Sequence, residues 1–142
     1  MLRELRILVA DDASVMRRLL GHWLNKMVFC QVVEAQDGLE AIRKVQEAQA
    51  AGVPFDLVLT DVKMPHVDGI RLVEYVRGKL ANTQVPIVVI TTFADPDLRD
   101  KALEAGANGY ITKPLKYFEL LRVLIRLFGS SYSEMEKPAL AH

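Results

Sequence analysis

The sequence predicts a single α/β domain, a parallel sheet with helices packed on both faces. Three observations predict it. Short runs rich in Val, Ile and Leu alternate with helical patterns five times along the chain. Several of those runs are nearly continuous in apolar residues, as strands covered on both faces are. A length of 142 residues with 51% hydrophobic content fits one domain with a substantial core.

The elements follow in order. Arg6–Ala10 (RILVA) is the first strand. Met16, Leu20, Trp23, Leu24 and Met27 then recur at helical spacing, after Ser14 as the expected N-cap. Cys30–Ala35 (CQVVEA) is the second strand. Asp37-Gly38 opens a helix carrying Ile42 and Val45, with Glu40 and Lys44 as an i,i+4 pair. Leu57–Thr60 (LVLT) is the third strand, running into Asp61, and Asp68-Gly69 opens the third helix. Pro86–Thr91 (PIVVIT) is the fourth strand. Asp95-Pro96-Asp97 starts the fourth helix with cap, first-turn proline and first-turn acid in sequence, and Gly106 closes it. Tyr110–Thr112 (YIT) is the fifth strand and Tyr117–Phe128 the fifth helix. No internal repeat or linker divides the chain. After Gly129 the composition changes to SSYSEMEKPALAH, so the expected division is a domain over 1–128 and a tail over 129–142.

The fifth helix, YFELLRVLIRLF, is more apolar than one buried stripe requires. Phe118, Leu121, Leu124, Ile125 and Phe128 are assigned to the core. Leu120, Val123 and Leu127 form a second stripe, and a helix apolar on two sides usually buries both. Two readings stand for that stripe: the tail, with Tyr132, Met135 and Leu140, folds back over it, or it is a partner or dimer face.

Charge and cysteine content exclude other classes. Lys+Arg and Asp+Glu are both 18, so the chain lacks the basic excess of a nucleic-acid-binding surface. Cys30 is the only cysteine, so no internal disulfide forms and a reducing compartment fits. No apolar run is long enough for a signal peptide or a membrane span, and a cytoplasmic location is expected.

Parallel strands collect their C-terminal ends along one edge, where ligands of open α/β sheets bind. Asp11 and Asp12 follow the first strand, Asp61 the third and Lys113 the fifth, with Thr91 ending the fourth. Two carboxylates about 5 Å apart repel by roughly 3 kcal/mol at an effective dielectric near 20. Three acids and one lysine leave a charge near −2, which calls for protonation or a hard divalent cation. Few carboxylates with room for water suit Mg²⁺ better than an all-protein Ca²⁺ cage. Such a site, with a hydroxyl and an ammonium beside it, is built to receive a phosphoryl group, and a carboxylate can be the nucleophile.

The motifs VADDAS (Asp11, Asp12), LTDVKMPHVDG (Asp61, Met64, Pro65, Gly69), PIVVITT (Thr91) and AGANGYITKP (Tyr110, Lys113, Pro114) together resemble the receiver domain of two-component response regulators, from about Leu5 to Phe128. DDASVMRRLL further resembles stand-alone chemotaxis regulators of the CheY type. The resemblance implies a flavodoxin-like doubly wound sheet of five strands, in order 2-1-3-4-5, with five helices. It implies a phosphorelay signalling domain rather than an enzyme, with Asp61 accepting a phosphoryl group from a histidine kinase or phosphotransfer protein. Asp12, Asp61 and the Lys63 backbone carbonyl would hold Mg²⁺, with Asp11 reaching it through water. Lys113 would pair with Asp61 and then the phosphoryl oxygens, Thr91 would bind the phosphoryl group, and Tyr110 would be the switch aromatic. The Lys113–Pro114 bond would be cis. An effector, or a second copy, would dock on the face formed by helix 4, strand 5 and helix 5, through Leu120, Val123 and Leu127, with no direct contact to nucleic acid or membrane. The same residues serve a stand-alone regulator or a receiver cut from a larger regulator or hybrid kinase.

Two features depart from the common pattern. Thr92 stands where a small alanine is usual, narrowing access to Asp61. Lys63 and Phe93 occupy the two positions that tune phosphoryl lifetime in the family. Two other classes fit less well. A haloacid dehalogenase-like phosphohydrolase places Asp-x-Asp after its first strand and needs a cap domain. A flavin-binding electron carrier needs a phosphate-cradling loop after its first strand, where DDAS is too acidic.

Overall fold

The computed structural model describes residues 3–92 and 96–138. Phe93, Asp95 and Leu140, each given a role above, lie outside the described residues. The strands are β1 (Leu5–Ala10), β2 (Cys30–Ala35), β3 (Leu57–Asp61), β4 (Ile87–Thr91) and β5 (Gly109–Thr112). The helices are α1 (Ser14–Met27), α2 (Gly38–Ala50), α3 (Gly69–Arg77), α4 (Pro96–Ala105) and α5 (Tyr117–Phe128). All strand pairs are parallel, in the order β2-β1-β3-β4-β5, which is the doubly wound topology expected. Strand order reverses between β1 and β3, so the crevice that such sheets use for ligands opens beside the residues that end these two strands.

Successive strand residues face opposite sides, and both sides are covered. In β3, Leu57 and Leu59 join a cluster with Leu20 and Leu24 of α1 and Leu120 and Leu124 of α5. Val58 joins the opposite cluster, with Ile42 and Val45 of α2 and Leu72, Val73 and Val76 of α3. The acids that precede α2 and α3 cap them: Asp37 accepts the Glu40 amide and Asp68 the Arg71 amide, both at 2.8 Å. Glu40 and Lys44 pair at 3.2 Å. Ser14 is not a cap. It is the first residue of α1, whose N-cap is Ala13, and the Asp11 carboxylate takes the Ala13 amide at 2.8 Å instead.

The second stripe of α5 is buried together with Tyr132 and Met135, as the tail reading has it, and of the stripe assigned to the core Leu124 is buried, Leu121 and Phe128 are partly buried, and Phe118 and Ile125 are exposed. Leu120 and Leu124 are fully buried and Val123 is 7% exposed, whereas Phe118 is 71% and Ile125 46% exposed. Leu120 and Val123 are therefore core and not a partner face, and Leu127 packs half-buried against the same cluster. Phe118 instead stacks edge-on against Tyr117, which stacks edge-on against Trp23 of α1.

A short 3₁₀ helix over Gly129–Glu134 carries the chain to the opposite end of the sheet from the acidic residues. Tyr132 and Met135 enter the core there. The segment is fixed by backbone hydrogen bonds: Arg3 donates to the Glu134 carbonyl at 2.7 Å, Phe29 to that of Met135 at 2.8 Å, and Lys137 to that of Met27 at 2.8 Å.

Candidate functional site

The site is set by where strands stop. Ala10 pairs with Thr60 at the end of the β1–β3 ladder, so Asp11 and Asp61 emerge side by side. Thr91 pairs with Thr112 at the end of the β4–β5 ladder, and the Lys113 amide then bonds the Thr91 carbonyl at 2.7 Å, which brings Lys113 back over the same edge. The turn after Asp61 is held close by Gly69. Its amide donates to the Val62 carbonyl at 2.8 Å, and a Cβ at this position would overlap the Asp61 carbonyl oxygen.

At the centre one ammonium serves two carboxylates. Lys113 Nζ lies 3.0 Å from Asp11 Oδ2 and 3.0 Å from Asp61 Oδ2. The remaining oxygens take backbone amides, Asp11 Oδ1 from Ala13 at 2.8 Å and Asp61 Oδ1 from Val62 at 2.7 Å. Asp12 is exposed at the rim, yet carboxylate oxygens of Asp11, Asp12 and Asp61 all lie within 4.8 Å of one another. Burial raises the Asp61 carboxyl above its ordinary value, and the pull of Lys113 in the other direction does not cancel it. For Lys113 burial works against the charge, but hydrogen bonds and attraction from Asp11 and Asp61 outweigh it and hold the ammonium above its ordinary value. Three carboxylates against one cation form an all-oxygen, net-negative donor set, which fits a hard divalent cation such as Mg²⁺.

The other predicted residues surround this centre. Thr91 is fully buried at the tip of β4 and Thr92 is exposed just beyond it. Lys63 is exposed in the turn after Asp61. Tyr110 is half-buried on β5 and lines a cleft of about 490 Å³ with Arg99, Leu103 and Arg126. The Lys113–Pro114 peptide bond is cis. Sequence reasoning missed that Lys113 divides itself between Asp11 and Asp61. It also missed Arg17, which donates to the Asp11 carbonyl at 2.6 Å and pairs with Glu34 at 2.8 Å, tying the DDAS loop to β2. An arginine in the first turns of α1 carries no sequence signal for that role.

Similarity to known proteins points the same way as the geometry. Residues 7–125 match the response regulator receiver domain family. The chain is 36% identical over 121 residues to the osmosensing histidine protein kinase SLN1 of Saccharomyces cerevisiae, covering 85% of this chain and 10% of that protein. It is 34% identical over 126 residues to chemotaxis protein CheY-3 of Vibrio cholerae, covering 89% of this chain and 93% of that one. Among solved structures, that of Vibrio cholerae chemotaxis protein CheY4 superposes with a TM-score of 0.76 at 31% identity, covering 87% of this chain and 98% of the other.

Proposed function

The chain belongs to the response regulator receiver domain family, and from that premise we propose that Asp61 is its phosphoacceptor. The observation that carries this reading is the shared Lys113, which gathers Asp11 and Asp61 within 3.0 Å of one ammonium beside Asp12 and the buried Thr91.

In this reading an oxygen of the Asp61 carboxylate attacks the phosphorus of a phosphohistidine on a sensor kinase or phosphotransfer protein. The new bond is O–P, the broken one is P–N, and the imidazole leaves with the electron pair and takes up a proton. Asp12, Asp61 and the Lys63 carbonyl would hold Mg²⁺, with Asp11 beside them, and when bound it would supply positive charge against the phosphoryl oxygens. Lys113 moves its hydrogen bond from Asp61 to the phosphoryl group while keeping Asp11. The Thr91 hydroxyl is drawn toward the same group, and Tyr110 follows it inward. That change biases a two-state equilibrium and alters partner affinity at the face formed by α4, β5 and α5. On that face Tyr110, Arg99, Leu103 and Arg126 replace the stripe first expected on α5. The receiver occupies residues 1–128, and 129–142 is a tail whose Tyr132 and Met135 complete its floor. No helix among the described residues is long and apolar enough to cross a membrane, and the reading places the domain with a cytoplasmic kinase. The domain acts as a phosphorelay element, with only its own phosphorylation and dephosphorylation as chemistry.

The test is Mg²⁺-dependent labelling with acetyl phosphate. Wild type should take up an acid-stable, hydroxylamine-labile acyl phosphate, and Asp61→Asn should take up none while keeping its fold. Label that persists in Asp61→Asn, or turnover of phosphate esters by wild type, would refute the assignment.

A further inference from the structure

Helix α4 is weakly anchored to the rest of the fold. Of its 10 residues only Ala102 is buried, whereas α3 buries Gly69, Leu72, Val73 and Val76 in 9. Leu98 and Ala105 add only partly buried contacts to the same cluster as Ala102, so apolar burial holds α4 less firmly than α3 and polar contacts take a larger share in fixing where it lies.

Those polar contacts come from α3. Arg77, its last residue, donates from Nε and Nη2 to the carbonyl oxygen of Gly106, at 3.0 and 2.9 Å, one residue beyond the end of α4. Nη2 also reaches Asn108 Oδ1 at 2.9 Å, and Nη1 reaches the Asn82 carbonyl at 3.0 Å. Asn108 Oδ1 in turn accepts the Ile87 amide at 2.8 Å, and the Asn108 amide donates to the Ile87 carbonyl at 2.7 Å. One planar fork thus joins the end of α3, the loop before β4, the start of β4 and the turn from α4 to β5. All the acceptors it meets are uncharged carbonyl oxygens. The attraction comes from geometry: the guanidinium sits where the C-terminal ends of α3 and α4 converge, and helix dipoles concentrate negative potential at both. Gly106 is shaped to this contact. Its φ is +114°, and a Cβ there would lie 2.8 Å from Arg77 Cγ.

The other end of α4 is the one nearer the phosphoryl site along the chain: its first residue, Pro96, comes five positions after Thr91, the last residue of β4. We propose that Arg77 is the positioning residue that fixes the pivot of α4, so that a change at Thr91 turns the helix about Gly106 instead of sliding it along the sheet. This rests on the receiver reading given above.

The test is amide hydrogen exchange on the full chain, with and without beryllofluoride and Mg²⁺ as the phosphoryl mimic. In wild type, exchange should change near Thr91 and in the first turn of α4, while the amides of residues 102–107 keep their protection. In Arg77→Gln, protection at 102–107 should fall at least tenfold and the response to beryllofluoride should run through the whole helix, with α1 and α2 unaltered. Asn108→Asp keeps both hydrogen bonds to Oδ1 and sets a carboxylate against the guanidinium. Protection at 102–107 should rise several-fold, a readout that stands even if Arg77→Gln does not fold. The pivot is refuted if beryllofluoride changes 102–107 in wild type as much as the first turn, if Arg77→Gln loosens every element equally, or if Asn108→Asp leaves 102–107 unchanged. No response anywhere to beryllofluoride, with the Asn108→Asp effect intact, would overturn the receiver reading and the turning motion while identifying the clamp as purely structural.

Discussion

Asp11 and Asp61 share a cation: the Lys113 ammonium is 3.0 Å from an oxygen of each. One positive charge set against two carboxylates, with Asp12 a third nearby, leaves the centre under-compensated. Its residual negative charge is what a divalent ion or phosphoryl chemistry can use, and it also costs stability.

Removing the Asp61 charge should therefore stabilise the fold. Because burial raises the Asp61 carboxyl above its ordinary value, the folded protein holds that proton more tightly than the unfolded chain. The stabilising contribution of the proton is full below the ordinary value and is lost as pH rises through the raised one. Asp61→Asn should be more stable than wild type at neutral pH without divalent ions. The gap should close as pH falls toward about 4, as read by urea melts across that range. A variant less stable than wild type at pH 7 would mean that Lys113 compensates both acids in full.

Divalent binding should reverse that ranking. Mg²⁺ at 100 times its dissociation constant should add about 2.7 kcal/mol to wild type. Asp12→Ala removes a carboxylate from the rim without touching the Lys113 pairs, so its melting temperature should respond much less to the same titration. Equal responses would place the ion away from Asp12.

Helix α5 offers a direct comparison of its two stripes. Leu120→Ala should cost about 2–5 kcal/mol, since the side chain is fully buried among other large apolar groups. Phe118→Ser, on the exposed side, should stay within about 0.5 kcal/mol in the same denaturant melts. The opposite order would restore the stripe assignment made from sequence.

That assignment shows where the sequence was readable and where it was not. Strand positions were legible because β-branched runs such as those of β1 and β4 have no competing interpretation, and the limits of α5 coincide with its apolar block. The phase of α5 was not legible. Its apolar residues occupy most of the circumference, so periodicity could not separate the Leu120 side from the Phe118 side, and Leu124 adjoins both. The acids at the strand ends were legible because parallel topology forces them to one edge. The division of Lys113 between two of them was not, since it depends on how far a flexible side chain reaches. Arg77 was invisible for a related reason: Gly106 and Asn82 offer it backbone carbonyls, which every residue has, and its one side-chain partner, Asn108, lies 31 residues away in sequence.

The lifetime of the phosphorylated state gives a kinetic prediction. Loss of the phosphoryl group needs a water aligned with the O–P bond. The exposed Lys63 can pair with phosphoryl oxygens and obstruct that approach, and Phe93 has no group to orient a water. Lys63→Asn with Phe93→Glu should speed decay by about tenfold, equivalent to about 1.4 kcal/mol on the barrier. Decay is followed after removal of acetyl phosphate. An unchanged or slower rate would leave Thr92 as the residue that governs water access.

The fully buried Met135 and the Arg3–Glu134 backbone bond also bear on how the chain is made. Domains begin to fold from the N-terminus as they leave the ribosome. Here β1 has its sheet partners once β3 has emerged, but the floor under Met27 and Val28 stays open until residue 135 clears the exit tunnel. A nascent chain stalled after β5 has emerged but before that point would carry a formed sheet with a greasy underside. Such a species is open to chaperone capture, and it closes only when Tyr132 and Met135 arrive.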